Sequence, residues 1–372
     1  MENKEDAINK QIDEQLEKLS KKITDKIELE KQKLKNKIKE KKLLHIKIGK
    51  LREIPNIKVR LDLQPNTNYI INPILFCFAN LEIFTEFILS EEKNEILDQY
   101  PDKKNFIRNF NDLMTNIRDK EKNASSCDNV HSYLKTEMKN KYLSQEPNYL
   151  INHFLSTLEK EINLAKVNKE NEYSNLISDN FSITLKKKKI CKICYHEEEI
   201  SREKKYIIDL FLKKSDIEDG VELQDIFKQL LLTQEDENNL AEICSRCESD
   251  VNINKSLENL KKYLIININK IKELDNVINL KYSSPLILKG DDDKIYKFEL
   301  ISALCNVNTE NIEPNELLNI ITKNRIDFKL FFKNFINDKL FSIIGSNAEI
   351  FKGDIQNDLS NYNPNILIYR RI

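Results

Sequence analysis

Four cysteines in two C-x-x-C pairs, Cys191/Cys194 in CKIC and Cys244/Cys247 in CSRC, are the residues whose type and spacing specify chemistry most directly. One such knuckle grips a metal ion with two thiolates, and two knuckles complete a closed tetrahedral set of four sulfurs suited to structural zinc. A closed set leaves no open coordination position, so the expected ion, one Zn2+, braces the fold and does not take part in a reaction. His196 lies two residues beyond Cys194 and is a poorer ligand than the four thiols. Seven cysteines behind a charged start, MENKEDAINK, with no signal-like segment, read as intracellular metal binding and not as a disulfide framework.

A second stretch, PNTNYIINPILFCFANL at residues 65–81, reads as the opening of a buried helix. A cysteine at such a helix start would be activated, because the N-terminus favours the thiolate. No Cys, Ser or Lys stands at that start. Cys77 lies two to three turns further in, on an apolar stripe, and belongs to the core. The four histidines are His45, His131, His153 and His196. Cys127 and His131 are spaced to meet on one helical turn, but SSCDNVHSYL reads as a helix start capped by Ser126 or Asp128.

The elements that must position these residues change character along the chain. Residues 1–52 form an amphipathic helix of coiled-coil type, with apolar residues at Ile8, Ile12, Leu16, Leu19, Ile23, Ile27, Leu34 and Ile38. Its end, residues 31–50, carries nine lysines against Glu40. That patch could touch nucleic acid, but packing against a partner helix is the expected role. Across the chain, 60 basic and 61 acidic residues nearly cancel, so global charge selects neither nucleic acid nor a membrane surface. No apolar run reaches the length of a membrane span. Helical periodicity runs through NFIRNFNDLMTNIRD and YLINHFLSTLEKEINLA. After Phe181 come strand-like runs: FSITLKK, KKYIIDLFLKK, KKYLIININK, IYKFELISALC, FKLFFKN and NILIYRR. Helices first and antiparallel strands afterwards argue an α+β class.

The order of these blocks, an Asn-rich turn opening a helix, a helical half, a paired C-x-x-C finger and strands ending in NILIYRRI, resembles the ubiquitin-specific protease family of cysteine deubiquitinases. The resemblance covers about residues 58–372 and implies a domain at 53–372, with the finger region at 181–270. It implies a papain-like fold with a helical thumb, an antiparallel-sheet palm and zinc-pinned fingers, preceded by the long N-terminal helix. In that family the first block, Gly-Leu-x-Asn-x-Gly-Asn-Thr-Cys-Tyr-Met-Asn-Ser, supplies the nucleophile, whose place here falls on Asn68 or Tyr69. The family's Gly-Gly-His-Tyr block, which supplies the general base, matches NRIDFKLFF, where Asp327 replaces the histidine. Ile344 and Gly345 occupy the place of the orienting Asp or Asn. The resemblance therefore implies a pseudoenzyme that works as a protein-interaction scaffold.

RLDLQPNTNY and NILIYRR resemble the inactive branch of the family that serves pre-mRNA splicing in the U4/U6·U5 tri-snRNP. This implies a nuclear protein with snRNP proteins or ubiquitin as partners; the cytoplasm is the alternative location. Two other readings stand beside it. One is a divergent ubiquitin hydrolase that still binds or cleaves conjugates. The other is the pseudo-hydrolase domain of a deadenylase complex, which KYLIININ and the zinc knuckles favour and the missing propeller and nuclease blocks oppose.

Overall fold

A computed structural model describes the chain except residues 1, 56, 59–70, 102–103, 123–124, 139–145, 166–175, 213–220, 233–242, 270–279, 283–284, 307–327, 345–346, 354, 356–358 and 360–361. The chain divides into two compact units, Met1–Leu51 and Arg52–Ile372. The first is the helix α1, Glu2–Gly49, with no Gly or Pro before its last residue to interrupt it. Leu16, Leu19, Ile23, Ile27, Leu34 and Ile38 are exposed along it.

The second unit opens with the two-residue strand β1, Ile57–Lys58, which pairs in parallel with β2, Ser125–Ser126. Between and after them lie the helices α2 (Ile71–Ala79), α3 (Glu82–Leu89), α4 (Glu92–Asp98), α5 (Phe106–Arg118), α6 (Asp128–Met138), α7 (Pro147–Leu164) and α8 (Leu176–Phe181). Their shared core is aromatic: Phe84 packs edge-on to Phe110 and stacks on Phe181, which stacks in turn on Tyr263 of the sheet. No single described helix is long and apolar enough to cross a membrane, and α2 with α3 meets that length only as a pair bent by 72°.

Two sheets follow. The strands are β3 (Ile183–Cys191), β4 (Glu197–Lys205), β5 (Ile207–Phe211), β6 (Val251–Glu258), β7 (Tyr263–Asn269), β8 (Leu286–Lys289), β9 (Ile295–Asn306), β10 (Phe328–Lys333), β11 (Leu340–Ile344), β12 (Asn347–Ile350) and β13 (Asn363–Arg371); the helix α9 (Leu223–Leu232) lies between β5 and β6. The large sheet has the order β12-β11-β10-β9-β13-β7-β5, with β8 also paired to β9. Its strands read as continuous apolar runs because both faces are buried. Along β7, Tyr263 and Ile265 join the helical core while Leu264, Ile266 and Ile268 join a second core with α9; along β13, Ile366 and Ile368 face the first and Leu367 and Tyr369 the second. The expected antiparallel palm needs one correction: β5 pairs with β7 in parallel. The chain between them passes through the finger and returns in the same direction, a connection that parallel neighbours require.

The small sheet, β4-β3-β6, is the finger. It has little core of its own, and its lysine run is zipped across strands by acids. Lys188 meets Glu197 at 3.3 Å, Lys189 meets Glu198 at 3.2 Å, and Lys186 meets Glu258 at 2.9 Å and Asp291 at 3.4 Å. Lys186 is buried, but the partly exposed pairs of Lys188 and Lys189 contribute little each, so a three-stranded sheet this thin needs another brace.

Candidate functional site

The brace lies at the tip of the finger. Cys191 ends β3, and the turn to β4 carries Cys194; Cys244 and Cys247 lie in the turn that enters β6, closed by a bridge between Ile243 and Asp250. The structure brings all four sequence-predicted thiols together, every Sγ within 4.8 Å of the others. Neighbouring sulfurs stand 3.4 Å (Cys191–Cys247) and 3.6 Å (Cys194–Cys244 and Cys194–Cys247) apart. Four sulfurs around a tetrahedral zinc at about 2.3 Å would stand about 3.8 Å apart, so the set needs only a slight expansion to admit the ion.

Both knuckles are built alike. The amides of Ile193 and Cys194 donate to Cys191 Sγ at 3.3 Å, and the amide of Arg246 donates to Cys244 Sγ at 3.4 Å. The residue after each second cysteine, Tyr195 at φ 53° and Glu248 at φ 58°, sits in the left-handed region. Side chains other than Gly adopt that region at a cost of roughly 1–2 kcal/mol, a strain that metal binding would offset. Hydrogen bonding with Ser249 holds the Cys247 thiol down at about 6. The His196 amide favours the Cys194 thiolate, but the adjoining Cys191 thiol and burial outweigh it and push Cys194 up to about 12. Four thiolates this close cannot all ionise without a cation among them. A divalent ion removes the conflict, and these four cysteines could bind zinc. His196 contributes its backbone carbonyl, which accepts from the Cys191 amide at 3.0 Å.

The positions matching the family's catalytic machinery are less fully seen. Asn68, Tyr69, Asp327 and Gly345 lie outside the described residues. Ile344 is the last residue of β11, paired with Lys329 and Asn347. Next to the first block, at the start of α2, Asn72 Oδ1 accepts from Cys127 Sγ at 2.8 Å and stands 3.4 Å from His131 Nε2. The cap of α6 differs from the expectation: it is Cys127, between Ser126 and Asp128, whose carbonyl accepts from the His131 amide at 3.0 Å. Burial holds His131 down to about 4, against a smaller opposing pull from Asp128. The thiol and the neutral imidazole thus converge on one amide oxygen, with the Cys127 thiol donating to Asn72. This ties α2 to α6. Cys77 is core as expected, hydrogen-bonded to Ser302 at 3.3 Å, and burial pushes its thiol up to about 12. Cys305 is fully buried in the second core.

Sequence reasoning missed Arg118. It is buried at the end of α5 and donates to the carbonyls of Arg52 (2.9 Å), Glu53 (2.6 Å) and Ala79 and to Asn80 Oδ1 (3.2 Å). It joins the start of the second unit to the end of α2. A lone Arg in an amphipathic helix gives no signal of burial, since its partners are backbone groups.

No curated protein sequence matches the chain. Solved structures do. The SAGA DUB module containing Ubp8, Sgf11, Sus1 and Sgf73 bound to monoubiquitin aligns with a TM-score of 0.65 at 12% identity, covering 86% of this chain and 70% of that one. The same module bound to ubiquitin aldehyde aligns with a TM-score of 0.63 at 12% identity over 86% and 70%. A yeast SAGA DUB module aligns at 0.62 and 12% over 86% and 69%. At this identity the likeness establishes the fold. The sequence model of the family described as ubiquitin carboxyl-terminal hydrolase matches residues 59–291. With the thumb, palm and finger in place around that match, this chain belongs to the ubiquitin carboxyl-terminal hydrolase family.

Proposed function

We propose that this chain is a catalytically silent member of its family, a zinc-braced recognition scaffold for ubiquitin or other protein partners. The observation that carries the reading lies two to three residues before α2 in sequence: where the family places its nucleophilic cysteine stands Asn68 or Tyr69. Asp327 in place of the base and Ile344-Gly345 in place of the orienter remove the other two members. Losing one member of such a set costs orders of magnitude in rate, and here no single reversion restores it. The four finger cysteines hold one structural zinc. The ubiquitin-bound modules that align with the chain support ubiquitin as a ligand class. The resemblance of RLDLQPNTNY to the splicing branch supports a nuclear, spliceosomal setting.

The competing reading is an active hydrolase with a displaced nucleophile, favoured by the convergence of Cys127 and His131 on Asn72. Against it, the thiol is buried and donates to the Asn72 amide oxygen. Incubating the full chain with a ubiquitin vinyl-sulfone probe decides between them. We expect no covalent adduct and no cleavage of ubiquitin conjugates. An adduct mapped to Cys77, Cys127 or Cys305 would overturn the pseudoenzyme reading.

A further inference from the structure

The stripe on α1 has a regularity that ordinary amphipathic helices lack. From Ile8 its positions follow a 4-4-3 spacing through Ile12, Leu16, Leu19, Ile23, Ile27, Glu30, Leu34 and Ile38. This is an eleven-residue repeat of 3.67 residues per turn, close enough to the α-helical period for the stripe to stay on one face over its length. The described members of the stripe are 49–61% exposed, so about half of each large apolar side chain faces water.

The spacing is also symmetric about Ile23. Positions 19 and 27, 12 and 34, and 8 and 38 are apolar pairs equidistant from it, and only the pair 16 and 30 mixes Leu with Glu. A palindromic stripe has a specific consequence: an identical helix running antiparallel, with position 23 against position 23, matches it knob for knob. Charge selects the same arrangement. Residues 1–20 carry six acids against three lysines, and residues 31–50 carry nine lysines against one acid. An antiparallel partner places the acidic third of each copy on the basic third of the other. A parallel partner would set two nine-lysine segments side by side and repel.

We propose that α1 is a homodimerisation element, pairing antiparallel with the α1 of a second copy of this chain about a two-fold axis at Ile23. The interface is isologous and closed. It makes the scaffold bivalent, and it holds whether or not the hydrolase unit is silent.

Sedimentation equilibrium and light scattering on the full chain over a concentration series test this. The expected mass is twice the chain's 43.9 kDa, with dissociation in high salt as the end-to-end charge pairing is screened. Ile23 is exposed, so Ile23→Lys leaves the helix and the second unit folded, and it weakens dimerisation by on the order of a hundredfold, because two side chains are lost at the axis. Oxidation then reads the register. Ile23→Cys cross-links to itself, whereas Ile38→Cys cross-links only when mixed with Ile8→Cys, each read against the parent chain with its native thiols. A monomer at every concentration overturns the proposal, including one that associates only with a foreign helical protein or with RNA. Self-cross-linking of Ile38→Cys as readily as Ile23→Cys indicates a parallel pair and overturns it equally.

Discussion

Arg118 shows how much one side chain can be asked to hold. Its guanidinium serves three carbonyls and an amide oxygen inside the fold, and a substitution removes this donor from all four. Arg118→Met keeps the volume and removes the donors, so it should destabilise the second unit by about 2–4 kcal/mol, read as a lower urea midpoint at unchanged slope. His131 makes a different prediction. Its folded pKa, held down to about 4 by burial, lies below the unfolded value near 6.5. The unfolded chain therefore binds this proton first as pH falls. The stability that the neutral ring contributes is fully present above about pH 6.5 and is lost as pH drops toward 4, up to about 3 kcal/mol. Urea titrations at pH 7, 5.5 and 4.5 should show this loss, and His131→Gln should flatten it. An unchanged slope in that variant would mean that carboxylates alone account for the acid response.

At the scale of elements the finger and α1 stand apart from the rest. The finger is three strands zipped by ion pairs, with a cluster of four thiols at its tip. Bound zinc would order it, because mutual thiolate repulsion and two left-handed turn residues oppose the apo form. Elemental analysis of the purified chain should find about one zinc per molecule. Cys244→Ser should lower that content and destabilise the finger by several kcal/mol. Chelation should expose the β3–β4 amides to hydrogen exchange before those of β7 and β13. The helix α1 separates differently. Residues Arg52–Ile372 make a compact unit by themselves, with both faces of the large sheet covered by their own elements. Deleting residues 1–51 should therefore leave the melting temperature of the remaining domain within a few degrees of the full chain's, measured by circular dichroism. A truncated chain that fails to fold would place α1 in the core.

For the whole molecule, catalysis and architecture are separable. The papain-like layout needs buried helices against a sheet with two apolar faces, and nothing in that packing calls for a nucleophile. A chain of this family that lost its nucleophile, as we propose for this one, would thus keep the thumb, palm and finger. On the proposed silent reading, restoring Cys alone, as Asn68→Cys or Tyr69→Cys, should give no turnover of a ubiquitin fluorogenic substrate, because Asp327 and Ile344-Gly345 stand where that reading places the base and the orienter.

What the chain discloses by itself follows from local rules. Short-range periodicity marked α1, the helical half and the strands, and the knuckle spacing marked the thiols, because a metal pair is encoded within four residues. The α+β class was legible for the same reason. Contacts distant in sequence were not. The parallel pairing of β5 with β7 depends on where the chain returns after the finger. The setting of the lysine run at residues 186–189 against glutamates depends on the register of β3 with β4 and β6. Arg118 became a core residue, and Cys127 the cap that ties α6 to Asn72, only through backbone and amide groups that no spacing rule displays. These are decided by tertiary structure, since burial and hydrogen-bond satisfaction are properties of the assembled core and not of any segment within it.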